Sequence, residues 1–203
     1  MSMGWTFHSF DPVRWGEWAG GALTPERHAK LSEAVLSEYD EGDSARQQLS
    51  ALVDLVARAG FEAAYRQSNE AAHAWLDQLL CLLFTREELA DDLDVKGFMD
   101  PWGWNAIAAL VNSLDDIGAA RLLLTGRRLV TEVAPKEPMY VLFTMGEAAQ
   151  LAEGLLRAVS LYTPAAAKAA IQLPPWEVEA LMMGLTELGQ DIARGRPVFA
   201  HFG

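Results

Sequence analysis

The sequence predicts an α+β protein, mainly helical, with one small sheet that includes both the first and the last strand. Three observations carry that expectation. Helix starts are punctuated by a capping residue before proline, apolar residues recur at helical spacing, and four short segments alternate or are rich in β-branched and aromatic residues.

The first segment, residues 4 to 9, alternates, with Trp5 and Phe7 on one face and Thr6 and His8 on the other. Helix starts follow at Asp11-Pro12, Thr24-Pro25, Asp100-Pro101 and Thr163-Pro164. In each, a side-chain oxygen can accept an orphaned backbone N–H, and proline occupies the first helical position without losing a needed bond. Thr85 with Glu88, and Thr144 with Glu147, read as capping boxes. Leu49, Leu52, Val53 and Val56 form one stripe, closed by Gly60. Trp75, Leu79, Leu80 and Leu83 mark a more deeply buried helix over residues 69 to 84. Ile107, Leu110, Val111 and Leu114 form the next stripe; Ala148, Leu151, Ala152, Leu155 and Val159 follow Thr144. Val178, Leu181, Met182, Leu185 and Ile192 run through the last helix, which ends before Gly195.

Residues 128 to 133 and 139 to 143 flank a loop with Pro135 and Pro138 and are expected to form a hairpin over 128–143. Residues 197 to 202 form the last strand. Each strand is too short to stand alone, so all are expected in one sheet packed by helices. No repeat or long linker divides the chain. The expectation is a single domain over 1–203, with 11–113 a largely helical portion.

The second portion carries a family resemblance. The stretch LDDIGAARLLLTG from Leu114 to Gly126 resembles a helix ending in Leu-Thr-Gly in the YfbM-like bacterial family, a domain of unknown function. Tyr140 to Thr144, leading into a helix, resembles that family's strand entering a capped helix. The final helix with Ala193-Arg194-Gly195 and the strand to Phe202 resemble its end, and Met3-Gly4 before an aromatic strand resembles its start. The likeness covers residues 3–10 and 114–203. It implies an α+β fold, and no activity or site residue.

Composition narrows the function. With 51% hydrophobic and 22% charged residues, the chain can bury a core. Its longest aliphatic run, Leu79 to Phe84, is too short for a membrane span, and the N-terminus lacks the pattern of a secretory signal. Cys81 is the only cysteine, which removes intramolecular disulfides and thiolate-rich metal sites. A cytoplasmic protein of bacterial type is expected; twelve arginines against four lysines fit GC-rich coding. The net charge of −12 repels phosphate backbones and anionic lipid, so neither nucleic acid nor membrane is an expected partner, whereas a basic protein or a small cation suits the surface.

The constellations each have a plain structural explanation beside a functional one. His8 and His201 lie on the two terminal strands and could approach one another in a polar or metal site, or simply line a wet sheet face. His28 reads as a surface residue and His73 as a packing residue. Four scattered histidines and one cysteine offer no closed ligand set, so no tightly bound structural metal and no cofactor is expected. The cluster Glu87, Glu88, Asp91, Asp92 and Asp94 reads as a solvated helical face, and Asp115-Asp116 as a helix cap. Trp5, Trp15 and Trp18, then Trp102 and Trp104, can seal core edges, wall a pocket or anchor a partner. No phosphate loop, nucleophile elbow or Cys/His dyad occurs.

Two functions remain open. One is a non-catalytic interaction protein with an acidic surface, in a specific form an immunity-like protein that masks a basic toxin, with Trp102 or Trp104 as anchor. The other is a small-molecule binder or hydrolase with a pocket near His8 and His201, walled by Trp5 and Trp102.

Overall fold

A computed structural model of the protein describes residues 4–40, 42–97, 102–103, 118–130, 140–161 and 175–202. The Asp100-Pro101 and Thr163-Pro164 helix starts, the stripe from Ile107 to Leu114, the Asp115-Asp116 cap and Trp104 lie outside the described residues.

The fold is α+β. Strand β1 (Gly4–Ser9) is followed by helices α1 (Pro12–Ala19), α2 (Pro25–Glu38), α3 (Ser44–Ala59), α4 (Phe61–Gln67), α5 (Glu70–Thr85) and α6 (Glu87–Asp92). Short strands β2 (Lys96–Gly97) and β3 (Trp102–Gly103) come next, then a 3-10 turn (Gly118–Arg121) and α7 (Leu122–Thr125). Strand β4 (Tyr140–Phe143), α8 (Met145–Leu161), α9 (Pro175–Ala193) and β5 (Val198–Phe202) complete the order. The chain divides into two compact units, Asp11–Val95 with Leu129–Val133, and the remainder built around the sheet.

The helical unit begins as its sequence dictates. Asp11 accepts from the amides of Val13 and Arg14, and Thr24 from that of Arg27, with a proline at the start of each helix. Leu49, Val53 and Val56 of α3 are buried, as are Leu76, Leu79, Leu80, Leu83 and Phe84 of α5. Burying one such side chain contributes about 1.5–3 kcal/mol, which is why short helices persist here that would be marginal alone. Trp18 is buried, and Trp15 packs on Phe61 and Phe84 at 6.3 and 5.7 Å between ring centroids.

One cap differs from expectation. Thr85 does not cap α6; its hydroxyl donates back to the Cys81 carbonyl at 2.9 Å, and Arg86 takes the N-cap position without a side-chain capping bond. Thr85 is still in the last turn of α5, where bonding to the carbonyl four residues back is the nearest option.

The sheet of the second unit is antiparallel, in the order β2-β1-β5-β4, with β3 also on β1. Trp5 faces Phe202, Phe7 faces Ala200 and Ser9 faces Val198 across β1 and β5. Val141 and Phe143 of β4 continue that face beside Ala200 and Val198, and these seven residues other than Phe202 are buried. Of the expected 128–143 hairpin, residues 131–139 lie outside the described residues and Arg128 to Val130 form no strand. Arg127 instead makes an isolated parallel bridge to Val141.

Thr144 and Glu147 form the expected capping box: the Thr144 amide donates to Glu147 Oε2 at 2.9 Å, and the Glu147 amide to Thr144 Oγ1 at 3.3 Å. Arg127 adds two bonds to the same carboxylate at 2.5 and 2.8 Å, and one to the Leu142 carbonyl. The Arg127 hydrogen bonds come first among the causes that hold the Glu147 carboxyl down at about 2.

Gly60 gives the sharpest test of this fold. It joins α3 to α4 at φ +80° and ψ 164°, a region almost reserved for glycine, and a Cβ there would sit 2.7 Å from the Ala19 carbonyl oxygen. Gly60→Ala is expected to lower unfolding stability by about 2 kcal/mol or more in urea titration, since both the backbone strain and the contact oppose it. An unchanged midpoint would show that this junction is not held as described.

Candidate functional site

Alternation along the central strands sends two sets of side chains to opposite faces of the sheet. Trp5 and Phe7 belong to the buried face described above. Thr6 and His8 of β1, Phe199 and His201 of β5, and Tyr140 and Leu142 of β4 share the other. Thr6 lies opposite His201 and His8 opposite Phe199, so the two histidines are diagonal neighbours.

Their ring centroids are 5.3 Å apart and their planes differ by only 7°. Phe199 contacts both, at 6.3 Å from His8 and 5.7 Å from His201, and Tyr140 packs on Phe199 at 5.7 Å. The histidines are half-buried, whereas Phe199 and Tyr140 are buried. In both histidines Nε2 is shut off from solvent and has no hydrogen-bond partner among the described residues. Burial, with the charge of His201 second, lowers the His8 imidazole from 6.5 to about 4, and burial also lowers that of His201. The pair is therefore neutral at pH 7.

Trp5 stands apart from this pair. Fully buried on the opposite face, with its ring edge-on to Phe202 at 5.8 Å, it is part of the core rather than the wall of a histidine pocket. The backbone of Trp102 pairs with Trp5. His28 is a surface residue 3.0 Å from Asp54, and His73 is a buried one whose Nε2 meets the Tyr65 carbonyl at 2.9 Å. Burial pushes the Cys81 thiol up to about 12, with Asp77 adding to the effect, so the protonated, unreactive form prevails at neutral pH.

Ser9 and Asp191 form a bond that no sequence signal announced. The Ser9 hydroxyl donates to Asp191 Oδ2 at 2.5 Å, both residues are buried, and Arg194 reaches Asp191 Oδ1 at 3.1 Å. Serine, histidine and aspartate are thus adjacent in sequence or space without the relay of a hydrolase. His8 projects to the other face, so no imidazole stands between Ser9 and Asp191 as general base.

No protein-family model, curated protein or solved structure matches the chain. The site must be read from its own chemistry. Among the described residues no group of three or more His, Cys, Asp or Glu is placed to hold a metal ion, and no helix is long and apolar enough to cross a membrane.

The second candidate surface is electrostatic. Residues 11–95 carry 17 acidic side chains against 7 basic ones, which is ten of the protein's twelve net negative charges. Glu87, Glu88 and Asp91 are exposed, as a solvated helical face requires, but Asp92 is not part of it. Asp92 accepts from Trp18 Nε1 and from Arg27 Nε, both at 2.8 Å, with Lys30 at 3.8 Å. Desolvation opposes ionisation there, but the Arg27 and Trp18 hydrogen bonds outweigh it and hold this carboxyl below its ordinary value.

The histidine pair makes stability depend on pH. Its folded-state affinity for protons is below that of the unfolded chain, so unfolding takes up protons as pH falls from about 6.5 to 4 and stability declines across that window. His8 accounts for up to about 3 kcal/mol of the decline, from 1.36 kcal/mol per pKa unit. In urea titrations at pH 7, 5.5 and 4.5, His8→Phe is expected to lose less stability than the parent. Parallel losses would contradict a neutral, buried His8.

Proposed function

We propose that the protein is a non-catalytic interaction protein whose acidic helical unit docks a basic protein partner, in the manner of an immunity protein that masks its toxin. The concentration of negative charge in residues 11–95 carries this reading. Several cations of that unit are already engaged by its own carboxylates: Arg27 by Asp92 and Glu17, Lys30 by Glu26, Arg66 by Glu62, and Arg86 by Glu38. Glu33, Asp40, Glu87, Glu88 and Asp91 face solvent. Such a surface raises encounter rates with a positive partner and disfavours polyanions. Trp102 or Trp104 serves as the aromatic anchor in this proposal. A cytoplasmic location and membership of the YfbM-like family for residues 3–10 and 114–203 are parts of the same proposal, and neither assigns an activity.

A second reading, a small-molecule site, is favoured by the convergence of His8 and His201. The hydrolase form of it has less support, because Ser9 is bonded directly to Asp191.

The interaction reading is tested by affinity capture from the native cell extract, followed by association and dissociation kinetics on what is captured. The partner is expected to be basic. Its association rate should fall several-fold as salt rises through 0.1 M, where screening acts over roughly 10 Å. Glu33→Lys with Asp40→Lys should slow association further, while Trp102→Ala or Trp104→Ala should mainly hasten dissociation. A partner whose association ignores both salt and the charge reversals would contradict the proposal.

A further inference from the structure

We propose that His8 and His201 form an open seat for a borderline transition-metal cation such as Zn2+ or Cu2+, held by two imidazole nitrogens and completed by water or a small anion. Each Nε2 is buried without a hydrogen-bond partner among the described residues, and a buried polar atom left unsatisfied is destabilising. Phenylalanine at Phe199, on the same face and in contact with both rings, shows that an apolar ring fits this surface without that cost. Two orphan nitrogens on rings 5.3 Å apart point to a shared partner, and an ion or ordered molecule is the usual explanation of such atoms.

The spacing identifies the class. When two imidazoles bind one tetrahedral ion at a metal–nitrogen distance of about 2.0–2.1 Å, their ring centroids fall roughly 5 Å apart. Here the centroids are 5.3 Å apart, fixed by the strand register that sets His8 diagonal to His201. The ring planes differ by only 7°, so holding one ion requires each ring to turn about its Cβ–Cγ bond, a motion that leaves the centroids nearly in place. Imidazole nitrogen suits zinc and copper, whereas hard cations prefer oxygen.

No further His, Cys, Asp or Glu among the described residues completes a set of three. The seat is therefore open and exchangeable, unlike the closed structural site that the sequence argues against. It uses residues outside the acidic helical unit, so partner binding and metal binding can fail separately.

The test titrates Zn2+ by calorimetry, and Cu2+ by electron paramagnetic resonance, into the metal-free full-length protein with excess Mg2+ present to occupy surface carboxylates. One equivalent should bind, and the copper spectrum should show coupling to two imidazole nitrogens. His8→Phe and His201→Phe should each weaken binding at least 10-fold, and His28→Ala should leave it unchanged. No binding above the Mg2+ background, binding that survives both substitutions, or a copper spectrum without two nitrogens would overturn the proposal. Should either variant misfold, as judged by circular dichroism, the copper spectrum of the unsubstituted protein decides alone.

Discussion

Strand β1 lies beside β5, and much of the sheet unit depends on that pairing. The two strands are separated by nearly the whole chain, yet they exchange a five-residue register from Trp5–Phe202 to Ser9–Val198. Closing so long a loop is entropically unfavourable, but the cost grows only slowly with length. It is offset by burying Trp5, Phe7, Val198, Phe199 and Ala200. Everything of chemical interest in this unit follows from the register. A slip by one residue would turn Trp5 and Phe7 outward and separate His8 from His201. The Ser9–Asp191 bond acts as a second clasp, because the backbone carbonyl of Asp191 also accepts from the Arg194 and Arg196 amides in the turn that leads into β5.

The readable part of the fold was local. Asp11 and Thr24 cap their helices because the capping oxygen and the amides it meets are two or three residues apart. The alternation of Trp5, Thr6, Phe7 and His8 assigned faces correctly because pleating is a property of the strand itself. Gly60 likewise announced the end of α3. What could not be read was non-local or contested. Asp92 sits in a run of acidic residues and looks like its neighbours, but Trp18 and Arg27, distant in sequence, single it out. Thr85 could cap forward or bond backward, and the unbroken turn of α5 decided between them. The convergence of His8 and His201 was readable as a chance and not as a geometry, because sequence does not state which strands are neighbours. Nothing local marked Tyr140 as a ring beside that pair, whereas the two-residue spacing of Phe199 and His201 on β5 did carry that signal for Phe199.

Charge and chemistry are kept in different parts of the chain. The helical unit holds nearly all the net charge, and its internal ion pairs, such as Arg27 with Asp92, serve structure. The sheet face holds neutral imidazoles among aromatic rings, a setting that disfavours their protonation.

The β1–β5 register, and with it the histidine pair, is tested most directly by solution NMR on protein with labelled histidines. Nuclear Overhauser contacts between the ring protons of His8 and His201 are expected at pH 7, together with slow hydrogen exchange at the paired amides of β1 and β5. Absence of ring contacts, with β5 amides exchanging as freely as an unpaired segment, would contradict the register.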